Sequence, residues 1–203
     1  MSIPDHTIDP KILNSAKEEF LEKGYADASL RTICQKAGVT TGALYKRFPN
    51  KEALFRAVLE PTLNDIERIA AETEKKDYDY LEKEQTQTIW DMSEETLKSW
   101  MNFFYDRYDG FRLLLCCAES SPYGNFLHDF VTEHTKKTMT FVNAVSRNGS
   151  GDVQIDEVEL HMLLTAFWAT LVEPLIHGLP REDALRHCNF VARFFNWSAV
   201  LGF

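Results

Sequence analysis

Residues 30–54 read LRTICQKAGVTTGALYKRFPNKEAL, and this stretch decides how the rest of the chain is understood. Leu30, Ile33 and Ala37 recur at helical spacing, which predicts one apolar helix face rather than a strand. Gly38 then stops the helix, because it takes the left-handed conformation without a side-chain penalty, and Val39 turns back into the core. Thr40 is the expected N-cap of a second short helix carrying Leu44, Tyr45 and Phe48. Pro49 disfavours helix in the residue before it, and Asn50 caps the next one. Two short helices around a glycine turn form the pattern of a helix-turn-helix, whose second helix enters the major groove.

Outward from this stretch the chain reads as helix throughout. Asp9-Pro10 opens a first helix with Ile12, Leu13, Ala16, Phe20 and Leu21 on one face. Gly24 is expected to end it, leaving residues 25–28 as a connector and Ser29 as the next cap. The helix after Asn50 carries Leu54, Phe55, Val58 and Leu59 and is expected to run to about Lys75, kinked or broken at Pro61. Residues 72–87 are highly charged and read as a mobile loop or an exposed helix end. Further helices follow from Ile89 to near Asp109-Gly110, from Phe111 to Ala118, and after Ser120-Ser121-Pro122-Tyr123. Residues 148–152, NGSGD, form a loop. Two apolar helices close the chain. No period-two alternation and no internal repeat is found.

The bulk properties narrow the function. The net charge is −9, ordinarily unfavourable for nucleic-acid binding, but it is unevenly placed. Residues 1–60 hold nine Lys/Arg against eight Asp/Glu, while the remainder holds thirteen against twenty-three. Lys46, Arg47, Lys51 and Arg56 face a single acid, Glu52, within eleven residues. Such a patch can act locally, since charges are screened beyond about 8 Å at physiological salt. No run is expected to reach the roughly 20 apolar residues of a membrane span, and the opening residues lack a signal-peptide pattern. A cytoplasmic protein with no membrane partner is expected. Cys34, Cys116, Cys117 and Cys188 lack CxxC spacing, so buried free thiols are expected, with a redox switch at the adjacent pair as the alternative.

The first 60 residues resemble the DNA-binding domain of TetR-family transcriptional regulators. The resemblance rests on Gly24-Tyr25, Ala37-Gly38-Val39-Thr40, Gly42, Leu44-Tyr45, Phe48 and Lys51-Glu52-Ala53-Leu54. Arg47 departs from the family's usual His or Tyr but keeps a donor there. The fold class expected is all-α: an N-terminal three-helix helix-turn-helix DNA-binding domain over residues 1–52, and a C-terminal helical ligand-binding and dimerisation domain over 53–203. The resemblance implies a homodimer that binds double-stranded DNA at a palindromic operator, as a repressor released by a small-molecule inducer. Residues Thr40, Thr41, Gly42 and Ala43 begin the recognition helix; Tyr45, Lys46, Arg47 and Lys51 supply phosphate contacts; Arg31 and Thr32 flank them.

The C-terminal part offers less specific signals. Trp100, Phe104, Tyr108, Phe126, Phe130 and Trp168 form the expected ligand pocket, with Glu119 or Glu173 able to select a cationic ligand. Leu164, Trp168, Leu171, Leu175, Phe190, Phe194 and Trp197 are expected at the dimer interface, because the last two helices are apolar on more than one face. The histidines form no metal set, no cofactor is expected, and no catalytic constellation is found. A helical protein-interaction module without specific DNA binding is the alternative; an enzyme using the aromatic helices is a third reading.

Overall fold

The computed structural model describes residues 8–83, 91–147, 155–197 and 200. Among these, the ordered elements are helices: α1 (Ile8–Asp27), α2 (Leu30–Ala37), α3 (Thr41–Tyr45), α4 (Lys51–Glu82), α5 (Glu94–Asp106), α6 (Tyr108–Cys116), α7 (Phe126–Arg147), α8 (Glu157–Ile176) and α9 (Arg181–Phe194). The expected all-α architecture, a helix-turn-helix followed by a helical domain, is observed. The expected loop at 148–152, and the start of a helix near Ile89, lie outside the described residues.

Two compact units emerge. The first comprises Met1–Ile66 with Arg107–Phe126, the second Glu67–Asp106 with Leu127–Phe203. The first therefore extends beyond residue 52, because one core needs all of its walls. Ile12, Ala16 and Phe20 of α1, Ile33 and Ala37 of α2, Leu44 of α3, Leu54, Phe55 and Leu59 of α4, Leu113 and Leu114 of α6, and Cys117 just after it bury one another. Phe55 meets Phe20 edge-on, with ring centres 4.8 Å apart. α6 comes close to α4 at Gly110, where a Cβ would sit 1.9 Å from Thr62 Oγ1. Gly110, expected to end a helix, instead lies inside one.

In the second unit α5 packs against α9. Arg181 Nε donates to Asn102 Oδ1 at 2.9 Å and its Nη1 to Asp106 at 2.8 Å. α8 is mostly apolar, and Trp168 stacks on Trp100 of α5 with ring centres 5.1 Å apart. A capping box at Asp156 and Glu159 starts α8. α8 is also long and apolar enough, by composition, to cross a membrane, with a mean hydropathy of 1.2 over its best window. That modifies the expectation that no run comes near such a length. Within the unit Leu160, Leu164, Phe167, Leu171 and Leu175 of this helix are buried.

Three local expectations meet different outcomes. α4 runs unbroken through Pro61, 32 residues in all. Pro61 is exposed, so water can reach the carbonyl of Ala57 that lost its bond to the missing N–H. Of residues 72–87, expected as a mobile loop or an exposed helix end, 72–82 form the largely exposed end of α4, where Tyr78 packs on Phe141 at 5.2 Å and Lys137 pairs with Glu74 at 2.6 Å; 84–87 lie outside the described residues. Cys34, Cys117 and Cys188 are buried free thiols, but Cys116 is exposed.

Candidate nucleic-acid interface

The recognition unit is assembled from caps inward. Gly24 has φ 74° and ψ 168°, a conformation reserved for glycine, and it breaks α1. The Tyr25 N–H beyond it donates to the Cys117 carbonyl at 2.7 Å, which fastens the end of α1 to the end of α6. Ser29 caps α2, its hydroxyl accepting from the Thr32 N–H at 3.3 Å. Gly38 ends α2 at φ 69°, and the Val39 N–H returns to the Cys34 carbonyl at 3.0 Å, the 6→1 bond of a Schellman turn. Thr40 caps α3 through Ala43 N–H at 3.2 Å, and Asn50 caps α4 through Ala53 N–H at 2.7 Å. Each expected stop and cap around the turn is in place.

One anchor escaped sequence reasoning. Glu19 of α1 is only 3% exposed. One carboxylate oxygen accepts the Ser29 N–H at 3.2 Å and the other meets Lys36 Nζ at 3.2 Å, so a single side chain ties α1 to both ends of α2. Its position among charged surface neighbours gave no signal, because Glu18 beside it is exposed and Glu19 sits on the inner face.

The candidate contact residues divide by what they already hold. Arg31, Thr41 and Lys46 are exposed, and Tyr45 is 49% exposed. Among the described residues none of these four side chains has a hydrogen-bond or ion-pair partner. Thr40 is exposed with its hydroxyl oxygen engaged in capping, leaving its own O–H to donate. Gly42 is exposed, and a Cβ there would meet nothing within 4 Å. Ala43 and Thr32 are half-buried. Lys51 Nζ donates to the Ala26 carbonyl at 2.9 Å and lies 5.1 Å from the Tyr25 ring centre. Burial there lowers its pKa, opposed by Asp27 and Glu19. Arg47 is different in kind: it pairs with Asp9 of α1 and donates to the Ala43 carbonyl at 3.2 Å. These bonds join α3 to α1.

The C-terminal candidates separate as well. Trp100, Phe130 and Trp168 come together, Phe130 meeting Trp168 edge-on at 4.8 Å. Phe104 is buried in the same unit. Tyr108 and Phe126 belong to the first unit, where Phe126 packs against the helix-turn-helix core. A concavity of about 180 Å³ is lined by Glu74, Tyr78, Lys136, Lys137, Thr140 and Phe141. A groove of about 520 Å³ runs along Glu94, Lys98, Asn102, Leu185 and Phe190. Neither includes an expected pocket aromatic. Glu119 is exposed and Glu173 pairs with His177 at 2.9 Å, and neither lines these two concavities. Of the expected interface residues, Leu164, Trp168, Leu171, Leu175 and Trp197 are buried within the chain and serve its own core. Phe190 and Phe194 remain 65% and 82% exposed, joined by Val158 at 67% and Met162 at 58%.

The comparisons with known proteins agree with this geometry. Residues 12–58 match the bacterial regulatory proteins, tetR family. The HTH-type transcriptional regulator UidR of Escherichia coli (strain K12) is 43% identical over 61 residues, 30% of this chain and 30% of that protein. The match thus spans less than a third of that relative's length. A TetR-like transcriptional regulator from Rhodococcus sp. RHA1 has the same fold over 100% of both chains, with a TM-score of 0.60 at 14% identity. A cysteine mutant of the TetR family transcriptional regulator CifR, complexed with 26bp double-strand operator DNA, has a TM-score of 0.54 at 19% identity over 95% of this chain and 98% of that one. Likeness at these identities speaks for the fold; the N-terminal match speaks for kinship. Members of the family are transcriptional regulators, not enzymes. A glycine-turned, doubly capped helix pair thus lies in a segment, residues 12–58, that matches the tetR family of bacterial regulatory proteins, in a chain whose fold is like that of TetR-like regulators.

Proposed function

We propose that the protein is a DNA-binding transcriptional regulator: a cytoplasmic homodimeric repressor that grips a palindromic operator and lets go when a small-molecule inducer binds. Residues 1–52 form the DNA-binding domain, and 53–203 provide ligand binding and dimerisation. The observation that carries the reading is the exposed set Arg31, Thr41, Tyr45 and Lys46, without side-chain partners among the described residues, around an unobstructed Gly42. Thr40, Thr41, Gly42 and Ala43 approach base edges, while Tyr45, Lys46 and Lys51 hold phosphates with Arg31 and Thr32 at the flank. Arg47 acts by position, through Asp9. Dimerisation uses the exposed apolar side chains of α8 and α9, since two recognition helices must sit about 34–36 Å apart to enter successive major grooves.

Selection of duplexes from a random pool, followed by titration at several salt concentrations, tests this. Enrichment of an inverted repeat is expected, with binding that falls about 10³-fold or more between 50 and 200 mM salt as the contacted phosphates regain counterions. A pool from which no duplex is enriched refutes the reading and leaves the helical protein-interaction module in its place.

A further inference from the structure

His128 of α7 and His161 of α8 meet with their ring centres 5.8 Å apart and their planes at 83°. Other histidines are engaged elsewhere: His177 pairs with Glu173 at 2.9 Å, His187 meets the Thr170 carbonyl at 3.0 Å, and His134 packs against Phe130 and Trp168. His128 is exposed and His161 half-buried. The His161 ring is held from behind. Thr135 is 1% exposed, and its hydroxyl donates to the Val131 carbonyl at 2.8 Å. A hydroxyl has one hydrogen to give, so in the 3.3 Å contact between Thr135 Oγ1 and His161 Nδ1 the ring is the donor. The lone pair of the neutral imidazole then sits on Nε2. This atom is neither sealed from solvent nor bonded to another described residue, and the His128 ring nitrogens have no hydrogen-bond partner among the described residues.

Imidazole nitrogens hold zinc at about 2.0–2.1 Å, which places the centres of two rings on one tetrahedral or wider site roughly 5 to 6 Å apart. The observed separation falls in that range. An oxygen that takes the other ring N–H is the usual support of a ligating histidine, because it sets both tautomer and orientation. We propose that His128 and His161 together bind one divalent transition-metal ion of the nickel, copper and zinc class, with Thr135 as the positioning residue behind His161. Among the described residues no third histidine, cysteine or carboxylate completes a set with them, so water fills the remaining positions. Imidazole suits this class of ion, whereas magnesium favours oxygen donors. Sequence spacing hides the pair, since its members come from different helices. The ion would tie α7 to α8 inside the second compact unit, and the inference is independent of the DNA-binding reading.

The test uses the tag-free full chain, stripped with a chelator and titrated calorimetrically with zinc, nickel and copper, with magnesium as the oxygen-preferring control. One transition ion per chain is expected, with a raised melting temperature and, for copper, nitrogen ligation in the paramagnetic resonance spectrum. His128→Gln and His161→Gln should each abolish that binding, while His177→Gln should leave it intact. Thr135→Val keeps both ligands but removes the supporting oxygen, and it should weaken affinity about tenfold or more. Loss in only one of the two ligand variants, an equal loss in His177→Gln, or magnesium binding as well as the transition ions overturns the shared site. Undiminished affinity in a folded Thr135→Val overturns its positioning role. The exposed His128 keeps the proposal testable if the Thr135 variant fails to fold, because His128→Gln alters no buried contact of the core.

Discussion

In the first compact unit Ile12, Phe20, Ile33, Leu44, Leu54, Phe55 and Leu59 have no exposed surface, and what stands outside is Arg31, Thr41, Tyr45 and Lys46. Along α8 and α9 the pattern turns over. Val158, Met162, Phe190 and Phe194 are exposed by 67, 58, 65 and 82%, while the neighbouring Leu164, Leu171 and Leu175 are sealed inside. The first surface is one that water and phosphate can satisfy. The second is apolar area that remains unburied in a single chain, and burying it is worth about 25 cal/mol per Å². One unit turns a polar surface outward, and the other leaves apolar area that the proposed second copy would cover.

The sharpest way to break that contrast is the double substitution Phe190→Asp with Phe194→Asp. Because both rings are exposed, the fold of the subunit should survive, but light scattering should report a monomer. Operator affinity should then fall by about 10²-fold or more, since two linked half-sites become two independent ones. A variant that stays dimeric would show that α9 is not the interface.

The next largest effect belongs to the first unit. Glu19→Ala removes the partner of Lys36 and of the Ser29 N–H from a site that is 3% exposed. Lys36 is exposed and keeps Glu22 nearby, so the cost is mainly that of leaving the Ser29 N–H without its acceptor, about 1 to 3 kcal/mol, and urea unfolding of the dimer-deficient background would read it without an association term. A loss below about 1 kcal/mol would mean that α2 is positioned by its apolar face alone.

How much of this was legible in the chain follows from the range of the forces involved. The turn at Gly38, the caps at Ser29, Thr40 and Asn50, and the apolar faces of α1 to α3 are local, so three or four neighbouring residues announce them. The pairings of Glu19 and Arg47 were missed because their partners, Lys36 and Asp9, lie 17 and 38 positions away. The first unit's true extent was invisible for the same reason: Leu113, Leu114 and Cys117 join its core from the middle of the chain. In the second unit, composition showed that α8 and α9 were too apolar for a single buried face. It could not show which side each residue faced, so five core side chains were assigned to an interface. Pro61 misled because its helix-breaking cost was weighed without the packing of a 32-residue helix around it.

A smaller effect probes the inside of the second unit. Burial, with Lys137 adding to it, holds His134 down to about 4. Between pH 4 and 6.5 the unfolded chain then binds the extra proton, so this contribution to stability is complete above pH 6.5 and drains away toward pH 4. Asp77, pushed up to about 6 by burial and by Glu74, acts oppositely: its protonated form is favoured in the folded state, and stability from it grows as pH falls from 6 to 4. From pH 7 to pH 5 the wild type should therefore lose roughly 1 to 2 kcal/mol more than His134→Gln, as read by denaturant titration at both values. Parallel losses in the two proteins would show that the imidazole is hydrated in the folded state.

Gly42→Ala is the finest instrument, because stability and binding should move in opposite directions. At Gly110 glycine is demanded by the fold itself, with Thr62 Oγ1 only 1.9 Å from where a Cβ would be. At Gly42 a Cβ would meet nothing within 4 Å, so no contact within the chain calls for glycine. Alanine in a helix is favoured over glycine by up to about 1 kcal/mol, so the variant should melt slightly higher. If the missing side chain is there to let the backbone of α3 close on DNA, the same variant should bind its selected duplex roughly tenfold more weakly, with the salt dependence unchanged because no charge has been altered. Equal affinity in the stabilised variant would move the closest approach elsewhere on the recognition surface, and Thr41 and Tyr45, the exposed side chains flanking Gly42, would become the residues to replace next.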